Sequence, residues 1–280
     1  GEAAGVIPGW PAGVPEPPPP LAALLAGART EAIELGEART HVLRLQSGAA
    51  GNSYLKILDR QALPGRTLTR ERDRLAWLAG RLPAPAVLGF AADDRFDWLL
   101  VSEVPGTPVC EEGHGLSREE RVTQYARGLR LVHALPVDAC PFDERLAAKL
   151  ERAERRLAAG LVDPAPIEPW RPGKSLREIL DELHASLPPP ARVVVCHGDY
   201  CEPNVLLRDG VVSGFIDLGD LGVEDPEYDV AIALGSLERN GDGRLRELFF
   251  AEYGVPGIGA AIRERDRVLQ ERDRLLDEFL

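Results

Sequence analysis

Val193-Val194-Val195-Cys196-His197-Gly198-Asp199-Tyr200-Cys201-Glu202-Pro203-Asn204-Val205 decides the reading of this chain. An apolar run, Val193 to Val195, leads into a polar loop, and a second run, Val205 to Leu207, leaves it. The loop carries Asp199 and, five residues later, Asn204. Asp209-Gly210 predicts a two-residue hairpin turn, because the tight hairpin turns need positive φ and Asp-Gly tolerates it. The returning strand, Val211 to Ile216, ends at Asp217. The pattern is strand, loop, strand, turn, strand, with three oxygen-bearing side chains at the bends.

Phosphoryl transfer calls for such a set. It must hold an acceptor oxygen in line with the γ-phosphate and neutralise the phosphate oxygens, and it asks little covalent chemistry of the protein. In kinase-like phosphotransferases a loop Asp orients the acceptor hydroxyl, an Asn five residues on holds Mg²⁺, and an Asp after the next hairpin holds it too. Asp199, Asn204 and Asp217 fit those roles in that order. Carboxylate and amide oxygens are the hard ligands that Mg²⁺ prefers. Upstream, residues 31–60 alternate like paired strands, and Tyr54-Leu55-Lys56-Ile57-Leu58 places Lys56 opposite Leu55 and Ile57. A strand Lys of this kind contacts the α- and β-phosphates and pairs with a helix Glu. Glu71, near the start of a helix expected over 70–79, is the candidate partner.

Composition narrows the function classes. The chain has 280 residues, 44% hydrophobic, enough to bury one large or two modest cores. Net charge is −12, and the absence of any Lys/Arg block argues against nucleic acid as a partner. An acidic protein suits a cationic small substrate. The four cysteines form no Cys-x-x-Cys pair and no zinc spacing, so free thiols are expected. No apolar run reaches membrane-spanning length and no basic-then-apolar leader pattern is present, so the expectation is a cytoplasmic protein, monomeric or weakly dimeric, with no membrane contact.

Other elements follow from local signals. Residues 1–20 are Pro- and Gly-rich and read as an extended arm, with a short helix expected over 21–28. Ser117 with Glu120, and Ser175 with Glu178, are capping boxes that open helices. Val122, Tyr125, Ala126, Leu129 and Val132 recur at helical spacing, as do Leu146, Leu150, Ala153 and Leu157. Asp229 is read as the acid that opens a helix over 230–237. A last helix is expected from about residue 260 to Leu280. It would end in Asp277, Glu278 and the Leu280 carboxylate, negative charges that oppose the helix dipole and so suggest a cationic partner.

The segment from His197 to Leu234, through Ser213-Gly214-Phe215-Ile216-Asp217-Leu218-Gly219 and Leu221-Gly222-Val223, resembles the aminoglycoside 3'-phosphotransferase family. Leu275-Leu276-Asp277-Glu278-Phe279-Leu280 is similar to that family's C-terminus, and the likeness extends from about residue 33 to 280. The resemblance implies an α+β, two-lobed protein-kinase-like fold, an N-terminal antiparallel sheet lobe plus a mainly helical C-terminal lobe. The expected division is an arm over 1–28, a nucleotide-binding lobe over 29–103 and a catalytic, substrate-binding lobe over 104–280. It implies ATP, with GTP as the alternative, and Mg²⁺ as cofactors, and phosphorylation of an aminoglycoside hydroxyl, the 3'-hydroxyl first, as a resistance activity. Tyr54 would stack on adenine, the Glu103 carbonyl and Val104 amide would read its edge, and residues 36–38 would cover the phosphates. Ala38 stands where the family tends to have Ser. Asp277, Glu278 and Leu280, with Asp163 and Glu168 in a Pro-rich loop, would grip substrate ammonium groups.

Two positions depart from the family pattern, Asp220 and Gly235, where it usually carries Arg. The exchange alters the electrostatics near the acceptor. Kinases of another small alcohol, such as a macrolide, choline or a hydroxylated amino acid, are therefore the alternatives. A nucleotide-binding module without catalysis is disfavoured by the complete set Lys56, Asp199, Asn204 and Asp217.

Overall fold

The structure, a computed structural model, describes residues 7, 10–33, 40–48, 51–169, 171–185, 192–254, 275–276 and 279–280. The chain divides into two compact units, Gly1–Val104 and Pro105–Leu280.

The first unit is built on a five-stranded antiparallel sheet. Its strands are β1 (Arg29–Ile33), β2 (Thr40–Gly48), β3 (Gly51–Asp59), β4 (Val87–Ala92) and β5 (Phe96–Ser102), in the order β1-β2-β3-β5-β4. Alternation sorts the side chains. Leu43 and Leu45 of β2, Leu55 and Ile57 of β3, and Trp98 and Leu100 of β5 share one buried cluster. Tyr54 and Lys56 fall between the buried positions of β3. Helix α1 (Pro19–Leu24) caps the cluster through Leu21 and, just beyond it, Leu25, while Ile7, Trp10 and Val14 of the arm pack alongside. This helix starts before residue 21, the expected beginning, and ends at Leu24, short of residue 28. Pro19 and Pro20 pre-set helical φ where a missing N–H costs nothing, and residues 25–28 form a turn with Gly27 at φ +77°. Helix α2 (Thr69–Leu78) buries Leu75 and Leu78. Its entry is held by the fully buried Asp97 carboxylate, which accepts from the Leu68 N–H at 3.0 Å, the Thr67 hydroxyl at 2.6 Å and Arg60 Nη1 at 2.6 Å.

The second unit is mainly helical. Helix α3 (Arg118–His133) opens on the Ser117/Glu120 capping box, and its stripe of Val122, Tyr125, Ala126, Leu129 and Val132 is completely buried. Helices α4 (Leu146–Ala158) and α5 (Leu176–Ala185) enclose a core with Leu275, Leu276 and Phe279. Ser175 and Glu178 exchange reciprocal hydrogen bonds at the start of α5. Two small sheets carry the decisive stretch. One pairs β7 (Val194–Cys196) with β10 (Gly222–Glu224); the other orders β6 (Thr107–Pro108), β8 (Val205–Arg208) and β9 (Val211–Phe215) as β6-β8-β9. Asp209 and Gly210 have φ of +52° and +81°, as a type I′ hairpin turn requires. Helix α6 (Pro226–Arg239) corrects the expectation for Asp229. The helix begins at Pro226, with the Asp225 carboxylate accepting from the Glu227 N–H at 2.9 Å. Asp-Pro, a side-chain cap followed by the residue suited to the first turn, outweighs an acid three residues further in. Helix α7 (Arg246–Tyr253) ends at Gly254 in the left-handed region. Most of the expected last helix lies outside the described residues, and among those described no helix is long and apolar enough to cross a membrane.

Candidate active site

Three groups of contacts hold the loop after β7. Gly198 adopts φ +90°, and a Cβ there would collide with the Asp220 carbonyl. The loop's backbone turns inward at that point. The N–H groups of His197 and Gly198 donate to Asp229, at 2.6 and 2.9 Å, and the Asp229 carboxylate is fully buried. Tyr200, next to Asp199, stacks on Tyr125 of α3 with centroids 4.9 Å apart. Each tyrosine hydroxyl donates to the other's backbone carbonyl, at 2.5 and 2.7 Å, and both rings are buried. The third group centres on Glu202, fully buried, whose carboxylate accepts from Arg118 and Asn240 and whose N–H donates to the Ser236 hydroxyl at 3.0 Å. Gly198→Ala should cost about 2 kcal/mol, combining backbone strain with the displaced Asp220 turn. Urea melts should show this as a lower midpoint with an unchanged slope.

The anchored loop brings the three oxygen-bearing side chains together. Asn204 Nδ2 donates to the Asp199 carboxylate at 2.8 Å and to its backbone carbonyl at 3.0 Å. The Ile216 N–H donates to the Asn204 carbonyl at 3.0 Å, so the end of β9 is tied to the same bend. Asp217 follows at φ +60°, an uncommon backbone for a non-glycine residue, and it is exposed. Burial raises the Asp199 carboxyl above its ordinary value, and the nearby Asp217 charge pushes it the same way against opposing contributions from His197 and Asn204. Two carboxylates and an amide so assembled, with one carboxyl pushed up by its neighbour's charge, fit a divalent cation that would relieve the repulsion.

In the first unit, Lys56 Nζ donates to both oxygens of Glu71, at 2.7 and 3.0 Å, with side chains 17% and 9% exposed. A pair this sheltered is costly to break on one side only, because the remaining charge stays desolvated. The Glu103 carboxylate accepts from Arg44 Nη2 at 2.8 Å and Asn52 Nδ2 at 2.9 Å, and its own N–H donates to the Asn52 carbonyl at 3.1 Å. Burial alone would raise the Glu103 carboxyl, but hydrogen bonds from Asn52 and Arg44 hold it lower. Tyr54, half-buried on β3, has its hydroxyl pushed up mainly by burial. Val104 ends the unit.

Among the residues expected to meet substrate, Asp163 accepts from the Ala165 N–H at 2.9 Å and Glu168 from the Gly173 N–H at 3.2 Å. Both carboxylates thus brace their own loop. Leu280 packs against the α4–α5 core beside Phe279, whose carbonyl accepts from Arg156 Nε at 2.8 Å. Ala38, Asp277 and Glu278 lie outside the described residues. Asp220, at the departure from the family pattern, is exposed; Gly235 is buried in α6.

A family model described as the phosphotransferase enzyme family matches residues 29–268. The chain belongs to that family. This phosphotransferase is 36% identical over 242 residues to the aminoglycoside 3'-phosphotransferase of Niallia circulans, covering 86% of this chain and 91% of the relative. Among solved structures, an aminoglycoside-3'-phosphotransferase of type VIII matches with a TM-score of 0.72 at 34% identity, over 91% of this chain and 94% of that one. The aminoglycoside phosphotransferase APH(3'')-Id from Streptomyces rimosus, in complex with ADP and streptomycin, matches with a TM-score of 0.66 at 29% identity, over 88% and 92% of the two chains. The fold of the phosphotransferase is accordingly kinase-like α+β, and its family reaction is phosphoryl transfer to a hydroxyl.

The anchors of the loop were not legible in the sequence. Tyr125 read as one member of a core stripe, Glu202 as a polar loop residue, and Asp229 as a helix-start acid. Only the pairing of Asp225 with Pro226 carried a signal that could have freed Asp229 for another role.

Proposed function

We propose that this phosphotransferase moves the γ-phosphoryl group of ATP to a hydroxyl of an aminoglycoside, the 3'-hydroxyl first, and so confers resistance. The observation that carries the reading is the assembly of Asp199, Asn204 and Asp217 on one set of bends, held by a buried scaffold. Asp199 orients the acceptor hydroxyl and takes its proton. Asn204, through its amide oxygen, and Asp217 hold Mg²⁺, which when bound neutralises the phosphate oxygens. Lys56, positioned by Glu71, binds the α- and β-phosphates. Tyr54, the Glu103 carbonyl, the Val104 amide and the loop containing Ala38 receive the nucleotide. Asp277 and Glu278 take the substrate amines, with Asp163 and Glu168 as secondary contributors. The enzyme works in the cytoplasm, where ATP is available; its four thiols are free, which suits a reducing compartment.

The test is ADP release with Mg·ATP across aminoglycosides with and without a 3'-hydroxyl. Turnover confined to the 3'-hydroxylated compounds supports the reading, and equal turnover on compounds lacking it redirects the activity to another hydroxyl. Streptomycin belongs in the panel, because the Streptomyces rimosus neighbour is described with it and Asp220 departs from the usual Arg. Lys56→Ala should raise KM for ATP at least about tenfold, since it removes the phosphate contact and leaves Glu71 facing the same phosphates. Initial rates at varied ATP measure it. Replacing Asp277 and Glu278 by Ala together should impair aminoglycoside use while sparing slow ATP hydrolysis, and leaves Phe279 in its core.

A further inference from the structure

His133, the last residue of α3, is joined to the catalytic loop through Asp229 although it lies 96 positions away in sequence from that residue. Its Nε2 is 3.1 Å from Asp229 Oδ2, and its Nδ1 is 2.7 Å from the Tyr253 hydroxyl of α7. The ring stands edge-on to Tyr253, with centroids 5.7 Å apart, and its side chain is only 6% exposed. The Tyr253 hydroxyl in turn meets Arg192, beside the N-terminal end of β7. Counting donors gives one consistent assignment for the neutral ring. Arg192 donates to the Tyr253 oxygen, Tyr253 O–H donates to Nδ1, and Nε2–H donates to Asp229. Asp229 then accepts from His133 and from the His197 and Gly198 N–H groups, so every proton in the chain has an acceptor.

Cys196 of β7 lies close enough that His133, Cys196 and Asp229 could be read as a metal trio. The hydrogen bonds argue otherwise. Both His133 nitrogens and both Asp229 oxygens already have partners, and the Cys196 thiol points at the Asp225 carbonyl, 3.4 Å away.

We infer that His133, with its tautomer set by Tyr253, is a positioning residue for phosphoryl transfer: it holds the Asp229 carboxylate in the orientation that receives the His197 and Gly198 amides and thereby aims Asp199 at the acceptor. Burial would raise the Asp229 carboxyl. The hydrogen bond from His133 is the largest influence in the opposite direction, and the net result is a carboxyl below its ordinary range. Asp199 is the next residue after Gly198, so a rotated Asp229 carboxylate displaces the acceptor-orienting group directly. His133 touches neither nucleotide nor acceptor in this scheme. The inference rests on Asp199 being the acceptor-orienting group.

The test compares the full-length protein with His133→Phe, His133→Gln and Tyr253→Phe. Steady-state ADP release is normalised to folded protein, and amide hydrogen exchange is followed at His197 and Gly198. His133→Phe should lower kcat by roughly 10- to 100-fold, the scale of a small misplacement of a reacting group, with KM for ATP within about twofold. His133→Gln, whose amide nitrogen reaches the Nε2 position, should recover a large part of kcat, and Tyr253→Phe should fall between. The two amides should exchange faster in His133→Phe than in the parent. Should His133→Phe fail to fold, His133→Gln and Tyr253→Phe decide the matter by themselves. Wild-type kcat in the folded variants, no rescue by Gln, or unchanged protection of the two amides would overturn the inference. A parent protein that turns over no acceptor would instead count against the proposed function, and amide protection would still decide the role of His133.

Discussion

Asp199→Asn should reduce kcat by about 10³-fold, with ADP and Mg·ATP binding retained within a few-fold. The substitution keeps the shape of the side chain. It removes the negative charge that can accept the acceptor's proton, and it places an amide opposite Asn204 Nδ2, which donates to the Asp199 carboxylate at 2.8 Å in the parent. A thousandfold loss corresponds to about 4 kcal/mol of transition-state stabilisation, ordinary for a general base acting on an alcohol. Asp199→Ala should lose at least as much. Single-turnover phosphorylation and nucleotide titration by fluorescence or calorimetry separate the two effects. Retained turnover in both variants would remove Asp199 from the mechanism; lost nucleotide binding would recast it as a ligand of the cofactor.

Asp229→Ala should be the most destabilising single change near the site, by about 3–5 kcal/mol. Asp229 is completely buried, and its carboxylate receives the His197 and Gly198 N–H groups as well as His133. Without it, two backbone donors and one ring donor are left in a dry site, each costing about 1–3 kcal/mol before relaxation. Against a total stability of the order of 5–15 kcal/mol, this could consume most of the reserve. Urea melts of parent and variant measure the difference, and a loss under about 1 kcal/mol would refute the argument.

The same residue carries a pH signature. Burial would raise the Asp229 carboxyl, yet hydrogen bonding, led by the bond from His133 and joined by the Gly198 N–H, leaves it below its ordinary value in the folded state. Folded protein therefore binds fewer protons at this site than unfolded chain. The stabilisation is fully present above the unfolded carboxylate pKa of about 3.9 and is lost as pH falls through the lower folded value. The stability gap between parent and Asp229→Ala should be constant from pH 7 down to about 5 and narrow below about 4. A gap that widens on acidification would contradict the lowered carboxyl.

Local chemistry made much of this chain readable. Asp209-Gly210 announced a hairpin because few residues accept positive φ at both central positions, and the bend formed with φ of +52° and +81°. The two capping boxes and the stripe from Val122 to Val132 were visible because their partners sit three or four residues apart. Strand periodicity put Lys56 on the opposite side from Leu55 and Ile57 for the same reason. Errors came where two local signals competed. Asp229 has the chemistry of a helix start, but Asp225-Pro226 supplies a better one. The first helix begins inside the proline run, whose last two residues resemble an extended arm and serve as the helix's first turn.

By itself, then, the order of residues determined the elements, the bends and which side chains bear oxygen at those bends, since each depends on interactions within a few positions. Tertiary structure alone decided how the loop at Asp199 is held. Its buried acceptor Asp229 lies 31 and 32 positions away from the amides it receives, and its tyrosine clasp spans 75. A buried polar group must find a partner wherever the fold can bring one, and sequence distance places no limit on that search.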